Sequence, residues 1–183
     1  MVIIKRKAVF LDRDGVLIQP IIQNNLPYSA KTIKEINFIQ GVKETINEFK
    51  KLDYLPVVIT NQPEVARGTL QINNLNSMNS YIMQYLKIEN LYVCIHDELD
   101  GCDCRKPNPG MLLRASNELQ INLKESILVG DRWKDIECGQ NVGCKCYFIN
   151  YGYNEKHPQK PYTIIKSLGE ILEFIGGANE LKN

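Results

Sequence analysis

Short apolar runs recur along the chain, each closing on polar residues and followed by a stretch with helical periodicity. The runs are Ala8 to Leu11, Pro56 to Ile59, Tyr92 to Ile95, Ile127 to Val129 and Cys146 to Ile149. Rich in β-branched residues and too short for helices, they predict five buried strands of a parallel sheet covered by crossover helices. Val42, Ile46, Phe49 and Leu52 fall three and four apart, as do Leu75, Met78, Ile82 and Leu86, so each set makes one apolar helix face. Asn108 and Pro109 read as the cap and first residue of a further helix, with Leu112, Ala115 and Leu119 as its buried stripe. Leu168, Ile171, Leu172 and Ile175 predict a last helix before a polar tail. No repeat, low-complexity segment or linker interrupts the pattern, and 183 residues suit a single domain spanning 1–183.

In an open parallel sheet, ligands bind outside the carboxyl ends of the strands. The residues in those places here are Asp12-Arg13-Asp14-Gly15, Thr60-Asn61-Gln62, His96 and Gly130-Asp131-Arg132. Taken alone, Asp-Arg-Asp-Gly is a turn sequence. An acid or hydroxyl after nearly every strand is a stronger signal, because random polar residues would not fall so regularly. Asp12 and Asp14, joined by Asp131 from another strand, would make an all-oxygen site of the hardness Mg2+ prefers.

The whole order is Asp-x-Asp-Gly after the first strand, a hydroxyl after a later one, then a lysine, then Gly-Asp with Asp135 four residues on. Over Lys7 to about Gly152 it resembles the haloacid dehalogenase superfamily, with Asp12, Asp14, Thr60, Lys106 and Asp131 at the positions of its four motifs. The resemblance implies a Rossmann-like parallel sheet flanked by helices and a magnesium-dependent phosphatase. Asp12 would attack phosphorus in line, and Asp14 would protonate the departing oxygen and later activate water. Mg2+ would be held by the carboxylates of Asp12 and Asp131 and the main-chain carbonyl of Asp14. Thr60 and Lys106 would donate to the phosphoryl oxygens. Asp14 also separates the chain from the dehalogenase branch, which lacks that second acid. Asp135 fits equally a helix N-terminal acid and a partner behind the metal. Arg132 fits either a contact to the substrate phosphate or an ordinary surface arginine.

Cys94 and His96, then Cys102 and Cys104 after a five-residue gap, supply three thiolates and one imidazole, a complete tetrahedral set for Zn2+. With no open position the metal would be structural, clamping the loop that leads into Arg105 and Lys106. Cys138, Cys144 and Cys146 read as small core residues.

About 45 residues separate the first two motifs, enough for a loop and one helix, which predicts no cap domain. Substrate choice then falls to Leu17–Lys31, Pro63–Thr69 and the zinc loop. The cysteine pattern running into Arg105-Lys106-Pro107 resembles two capless branches, the heptose bisphosphate phosphatases and the histidinol-phosphate phosphatases. Pro27-Tyr28, Thr60-Asn61-Gln62 with Ala66-Arg67-Gly68, and Lys106-Pro-Asn-Pro-Gly110 resemble the heptose branch. The short gap before Cys102, and Glu64 where a glycine is usual, keep the second branch as the alternative. A small sugar bisphosphate carries a second anion that Arg67 and Arg105 could bind bidentately, with Asn61, Gln62 and Arg132 also placed to touch substrate. Asp97, Glu98 and Asp100 could instead favour the amine of histidinol phosphate.

Charge and composition narrow the partners. With 22 basic against 21 acidic residues and a net charge of +1, the chain lacks the basic excess of a nucleic-acid binder. That weighs against a DNA 3′-end phosphatase, and the complete set of motif residues weighs against a catalytically silent binding domain. No apolar run approaches the roughly 20 residues that span a bilayer. Ala8 to Leu11 runs straight into Asp12 without a cleavage signal, so the expected protein is cytoplasmic and, with so compact a site, monomeric.

Overall fold

The computed structural model describes residues 5–176. In chain order its elements are β1 (Lys7–Leu11), β2 (Ile21–Gln23), β3 (Leu26–Tyr28), α1 (Val42–Lys51), β4 (Tyr54–Asn61), α2 (Ile72–Leu86), β5 (Asn90–Cys94), α3 (Gly110–Leu119), β6 (Ile127–Gly130), α4 (Trp133–Gln140), β7 (Lys145–Ile149), β8 (Thr163–Ile165) and α5 (Ile171–Gly176). Six strands form one parallel sheet in the order β5-β4-β1-β6-β7-β8. β2 and β3 make a separate antiparallel hairpin.

Strand side chains alternate between faces, and the two cores follow from that period. Val9 and Leu11 of β1, Val58 of β4, Val129 of β6 and Tyr147 of β7 pack with Val42, Ile46 and Phe49 of α1 and Leu75, Met78 and Ile82 of α2. Ala8, Phe10, Val57, Ile59, Leu128 and Phe148 face the other way, onto Met111, Leu112 and Ala115 of α3 and Ile136 of α4. A sheet buried on both faces explains why its strands read as continuous apolar runs.

Two features exceed the five predicted strands. β8 and the β2–β3 hairpin have three residues each and are largely unburied, too little to carry a strand pattern. α3 also begins one residue later than the Asn108-Pro109 pair predicts, with Pro109 as its cap. Asn108 is instead used by the cysteine loop, its Nδ2 donating to the Cys102 carbonyl at 2.8 Å. The polar tail after α5 lies outside the described residues.

Between β1 and α1 lie only the hairpin and a turn of 3-10 helix, and between β4 and β5 only α2, so no cap domain is inserted there. Among the described residues no helix is long and apolar enough to cross a membrane.

Candidate active site

β1 and β6 are neighbours at the point where the strand order changes direction, the switch point at which open α/β sheets bind ligands. Asp12 follows β1 and its N–H donates to the Val129 carbonyl of β6 at 3.1 Å. Asp131 follows β6, and Asp135 reaches the same place from the first turn of α4. One carboxylate oxygen from each of Asp12, Asp131 and Asp135 falls within a 4.8 Å cluster, and all three residues are buried.

Lys106 is the cation among them. Its Nζ lies 2.9 Å from Asp12 Oδ1 and 2.6 Å from Asp135 Oδ1, and donates to the Ile59 carbonyl at 3.1 Å. One ammonium against three buried carboxylates leaves the centre negative. Burial, then the carboxylate of Asp135, push the Asp12 carboxyl from 3.8 to about 7. Burial and the Asp12 carboxylate push Asp131 up as well. For Lys106 burial opposes the charge, but Asp12 and Asp135 outweigh it and hold the ammonium above the ordinary lysine range.

Two glycines permit this crowding. A Cβ on Gly15, whose φ is +82°, would lie 2.0 Å from Asp131 Oδ2, and one on Gly130 would lie 2.1 Å from Asp135 Cβ. The first must therefore be glycine for both shape and backbone conformation. The second lets α4 bring its acid against β6. Asp135 also accepts the Arg132 N–H at 3.0 Å through Oδ2, so it serves the helix terminus and the lysine together.

Asp14 stands apart from the three-carboxylate cluster. Its Oδ2 accepts from Arg13 Nε at 3.0 Å, Gln62 Nε2 at 2.9 Å and Ser29 Oγ at 3.4 Å. Arg13 is fully buried and also donates to Asn79 Oδ1 of α2 at 2.9 Å. Gln62 donates to Thr60 Oγ1 at 2.8 Å. Asn61 brackets the Lys106 peptide, accepting its N–H and donating to its carbonyl at 3.1 Å each.

A narrow cleft of about 60 Å³ opens onto Asp12, Asp14, Tyr28, Ser29, Asn61, Lys106, Asp131, Arg132, Lys134 and Asp135. Thr60, Gln62, Arg67 and Arg105 are absent from its lining. Arg67 instead grips Asp97 with two 2.7 Å hydrogen bonds, which hold that carboxyl down at about 2. Arg105 donates to the His96 carbonyl at 3.2 Å and lines an adjoining cavity of about 380 Å³ with Asp97, Glu98 and Trp133. Lys106 and Lys134 line both spaces. The Arg132 guanidinium is paired with Glu155 at 2.5 Å.

Ser29, Lys134 and Tyr153 belong to the site without being singled out by the sequence. Ser29 follows the undetected hairpin, Lys134 follows β6 by four residues, and Tyr153 donates to Asp131 Oδ2 at 2.7 Å from the loop after β7. Only the position of that loop beyond a strand end could have pointed to Tyr153.

A second cluster gathers Cys94 at the end of β5 with His96, Cys102 and Cys104. Cys102 Sγ lies 3.7 Å from Cys94 Sγ and 3.5 Å from Cys104 Sγ, while His96 Nδ1 lies 3.6 Å from Cys94 Sγ and 3.4 Å from Cys104 Sγ. Tetrahedral Zn–S bonds of about 2.3 Å require edges of roughly 3.8 Å, close to these separations. Cys138, Cys144 and Cys146 are buried elsewhere, and burial pushes the last two thiols up to about 12, as expected of inert core cysteines.

A parallel sheet with Asp-x-Asp-Gly after β1, a buried lysine and an acidic turn after β6 defines a hydrolase of the haloacid dehalogenase class. A family model described as HAD-hydrolase-like matches residues 103–171. The chain is 35% identical to D-glycero-alpha-D-manno-heptose-1,7-bisphosphate 7-phosphatase of Campylobacter jejuni, a match covering 93% of this chain and 96% of that protein. It is 36% identical to D-glycero-beta-D-manno-heptose-1,7-bisphosphate 7-phosphatase of Haemophilus influenzae, over 76% and 77% of the two. The crystal structure of D,D-heptose 1,7-bisphosphate phosphatase from B. bronchiseptica, complexed with magnesium and phosphate, superposes with a TM-score of 0.82 at 25% identity, covering 94% of this chain and 99% of that one. The chain belongs to the haloacid dehalogenase-like phosphatases, in the family of these heptose bisphosphate enzymes.

Proposed function

We propose that this protein is a magnesium-dependent phosphomonoesterase that removes the 7-phosphate of D-glycero-D-manno-heptose 1,7-bisphosphate through a phosphoaspartate on Asp12. The observation that carries this reading is the convergence of Asp12, Asp14, Lys106 and Asp131 on one cleft in a chain whose relatives have that activity.

The residues present fit a dication. Asp131 Oδ1 is buried without a hydrogen-bond partner, and three carboxylates share a single ammonium. Asp12, Asp131 and the main chain of Asp14 would hold Mg2+, with Asp135 close behind. When bound, the ion offsets the charge of the meeting anions. The Asp12 carboxylate attacks phosphorus and the bond to the sugar oxygen breaks, with Asp14 giving that oxygen a proton. Asp14 then takes a proton from the water that attacks phosphorus, releasing phosphate and restoring Asp12. Lys106 compensates the charge on Asp12 and donates to the phosphoryl group as it arrives. Ser29, Arg13 and Gln62 fix the direction of the Asp14 carboxylate. Thr60, beneath Gln62, supports the same wall, and Asn61 fixes the backbone of Lys106.

The four-ligand cluster of Cys94, His96, Cys102 and Cys104 fits Zn2+ and ties down the segment before Lys106. Arg105 and Lys134 line the adjoining space, where the second phosphate of the sugar would lie, and Arg67 braces that wall through Asp97. Histidinol phosphate suits the wall less well. Arg105, Lys106 and Lys134 outnumber Asp97 and Glu98 around that space, so it favours an anion over an amine.

The test is phosphate release with Mg2+ from both anomers of the heptose bisphosphate and from histidinol phosphate, with Asp12→Asn as control. Preference for one heptose anomer, lost in the variant, is expected. Preference for histidinol phosphate would refute the substrate assignment, and full activity of Asp12→Asn would refute the phosphoaspartate.

A further inference from the structure

The loop after β7 carries Tyr151 and Tyr153, stacked with ring centroids 5.6 Å apart and an interplanar angle of 20°. The Tyr153 hydroxyl donates to Asp131 Oδ2 at 2.7 Å, and the Tyr151 hydroxyl donates to the Gly15 carbonyl at 3.1 Å. Gly15 in turn has its backbone against Asp131 Oδ2, so close that a Cβ there would stand 2.0 Å from it. One oxygen of Asp131 is thus boxed between a phenol and a main-chain turn. The other, Oδ1, is buried and has no partner.

This asymmetry is the informative part. A tyrosine that merely satisfied a buried carboxylate would leave the remaining oxygen bonded elsewhere, because a bare buried acceptor is costly. Here the satisfied oxygen faces the tyrosine and the bare one belongs to the residue that joins Asp12 and Asp135 in the carboxylate cluster. Mg2+ demands near-octahedral geometry and takes few carboxylates, whereas Ca2+ accepts carboxylates in either one-oxygen or two-oxygen mode.

We infer that Tyr153 is a positioning residue for the metal, holding Asp131 Oδ2 so that Oδ1 alone is offered to the cation and two-oxygen binding is blocked. The inference rests on the proposal that Asp131 is a Mg2+ ligand. Partners that orient a ligating carboxylate characteristically matter for metal affinity as well as turnover. Tyr151 registers the turn and leaves the Tyr153 contact in place.

The experiment is calorimetric titration of the metal-stripped, zinc-replete protein with Mg2+ and with Ca2+, for wild type, Tyr153→Phe and Tyr151→Phe. Tyr153→Phe is expected to weaken Mg2+ binding by about 10- to 100-fold. Ca2+ binding should weaken less, so that selectivity falls. Tyr151→Phe should keep the selectivity of the wild type. Unchanged Mg2+ affinity in Tyr153→Phe, or equal losses for both ions, would overturn the inference. A matching loss of selectivity in Tyr151→Phe would overturn it too, as the mark of a loosened loop. Absence of Mg2+ binding by the wild type would overturn the metal assignment itself.

Discussion

Lys106 Nζ lies 2.9 Å from Asp12 Oδ1 with the lysine side chain 3% exposed, and the same ammonium reaches Asp135 at 2.6 Å. A lysine this buried is held in place by both acids, so its removal has two separable effects. Lys106→Met should lower turnover by about 100-fold or more, the size expected from losing a donor to developing charge. It should also destabilise the metal-free protein by about 3 kcal/mol, because two carboxylates lose their counter-charge. Steady-state kinetics and urea unfolding check the two parts, and a loss of stability without a loss of turnover would contradict the role given to this lysine.

The acidity of Asp12 predicts a pH dependence for the metal-free protein. Its carboxyl is raised from 3.8 to about 7, first by burial and then by Asp135. A raised acid contributes stability below its unfolded value, and that contribution is lost as pH climbs through 4 to 7. Asn at this position cannot ionise and escapes the loss. The melting temperature of Asp12→Asn relative to wild type should therefore rise between pH 5 and pH 8, measured in the presence of a magnesium chelator. A difference that is flat or falls with pH would contradict the crowding described for the site.

Loss of the proposed zinc should act at a distance. Cys104 is two residues from Lys106, and the Lys106 peptide is bracketed by Asn61. Cys104→Ala should cost about 4 kcal/mol or more, the scale of losing a structural metal, and impair turnover with Mg2+ in excess. Cys146→Ala, in the core away from the cluster, should leave the zinc content unchanged. Metal analysis with activity assays decides the matter, and a zinc-free, fully active sample would refute the link.

Gly130→Ala should separate α4 from β6. The added methyl would stand 2.1 Å from Asp135 Cβ, so the helix must shift and carry the acid away from Lys106. Overpacking of this kind costs about 1–3 kcal/mol. Loss of activity should exceed what the loss of stability explains, which kinetics well below the melting temperature will show.

Much of the architecture is legible in the sequence because both faces of the sheet are covered. The buried stretches of β1, β4, β6 and β7 are almost wholly apolar, and such runs stand out without tertiary information. β8 and the β2–β3 hairpin have exposed positions and three residues each, so they blend with the loops around them. The site divides along similar lines. Asp12, Asp14 and Asp131 announce themselves as acids directly after strands, and Cys94 to Cys104 by local spacing. Asp135 remains ambiguous in the sequence because one residue does two jobs, accepting from the Arg132 N–H and from Lys106. Arg13 hides as a polar residue in a turn, although the fold buries it entirely between Asp14 and Asn79. Tyr153 is silent because its partnership with Asp131 exists only once β7 has been laid beside β6.

The strand order adds something that no single residue reveals. Asp12 hangs from β1, which pairs with β4 from the early part of the chain, while Asp131 hangs from β6, which pairs with β7 from the late part. These two acids meet only across the β1–β6 seam. Either half of the sheet alone holds only part of the carboxylate cluster, so the site is complete only where β1 pairs with β6. A cation held between Asp12 and Asp131 would rivet the two halves together.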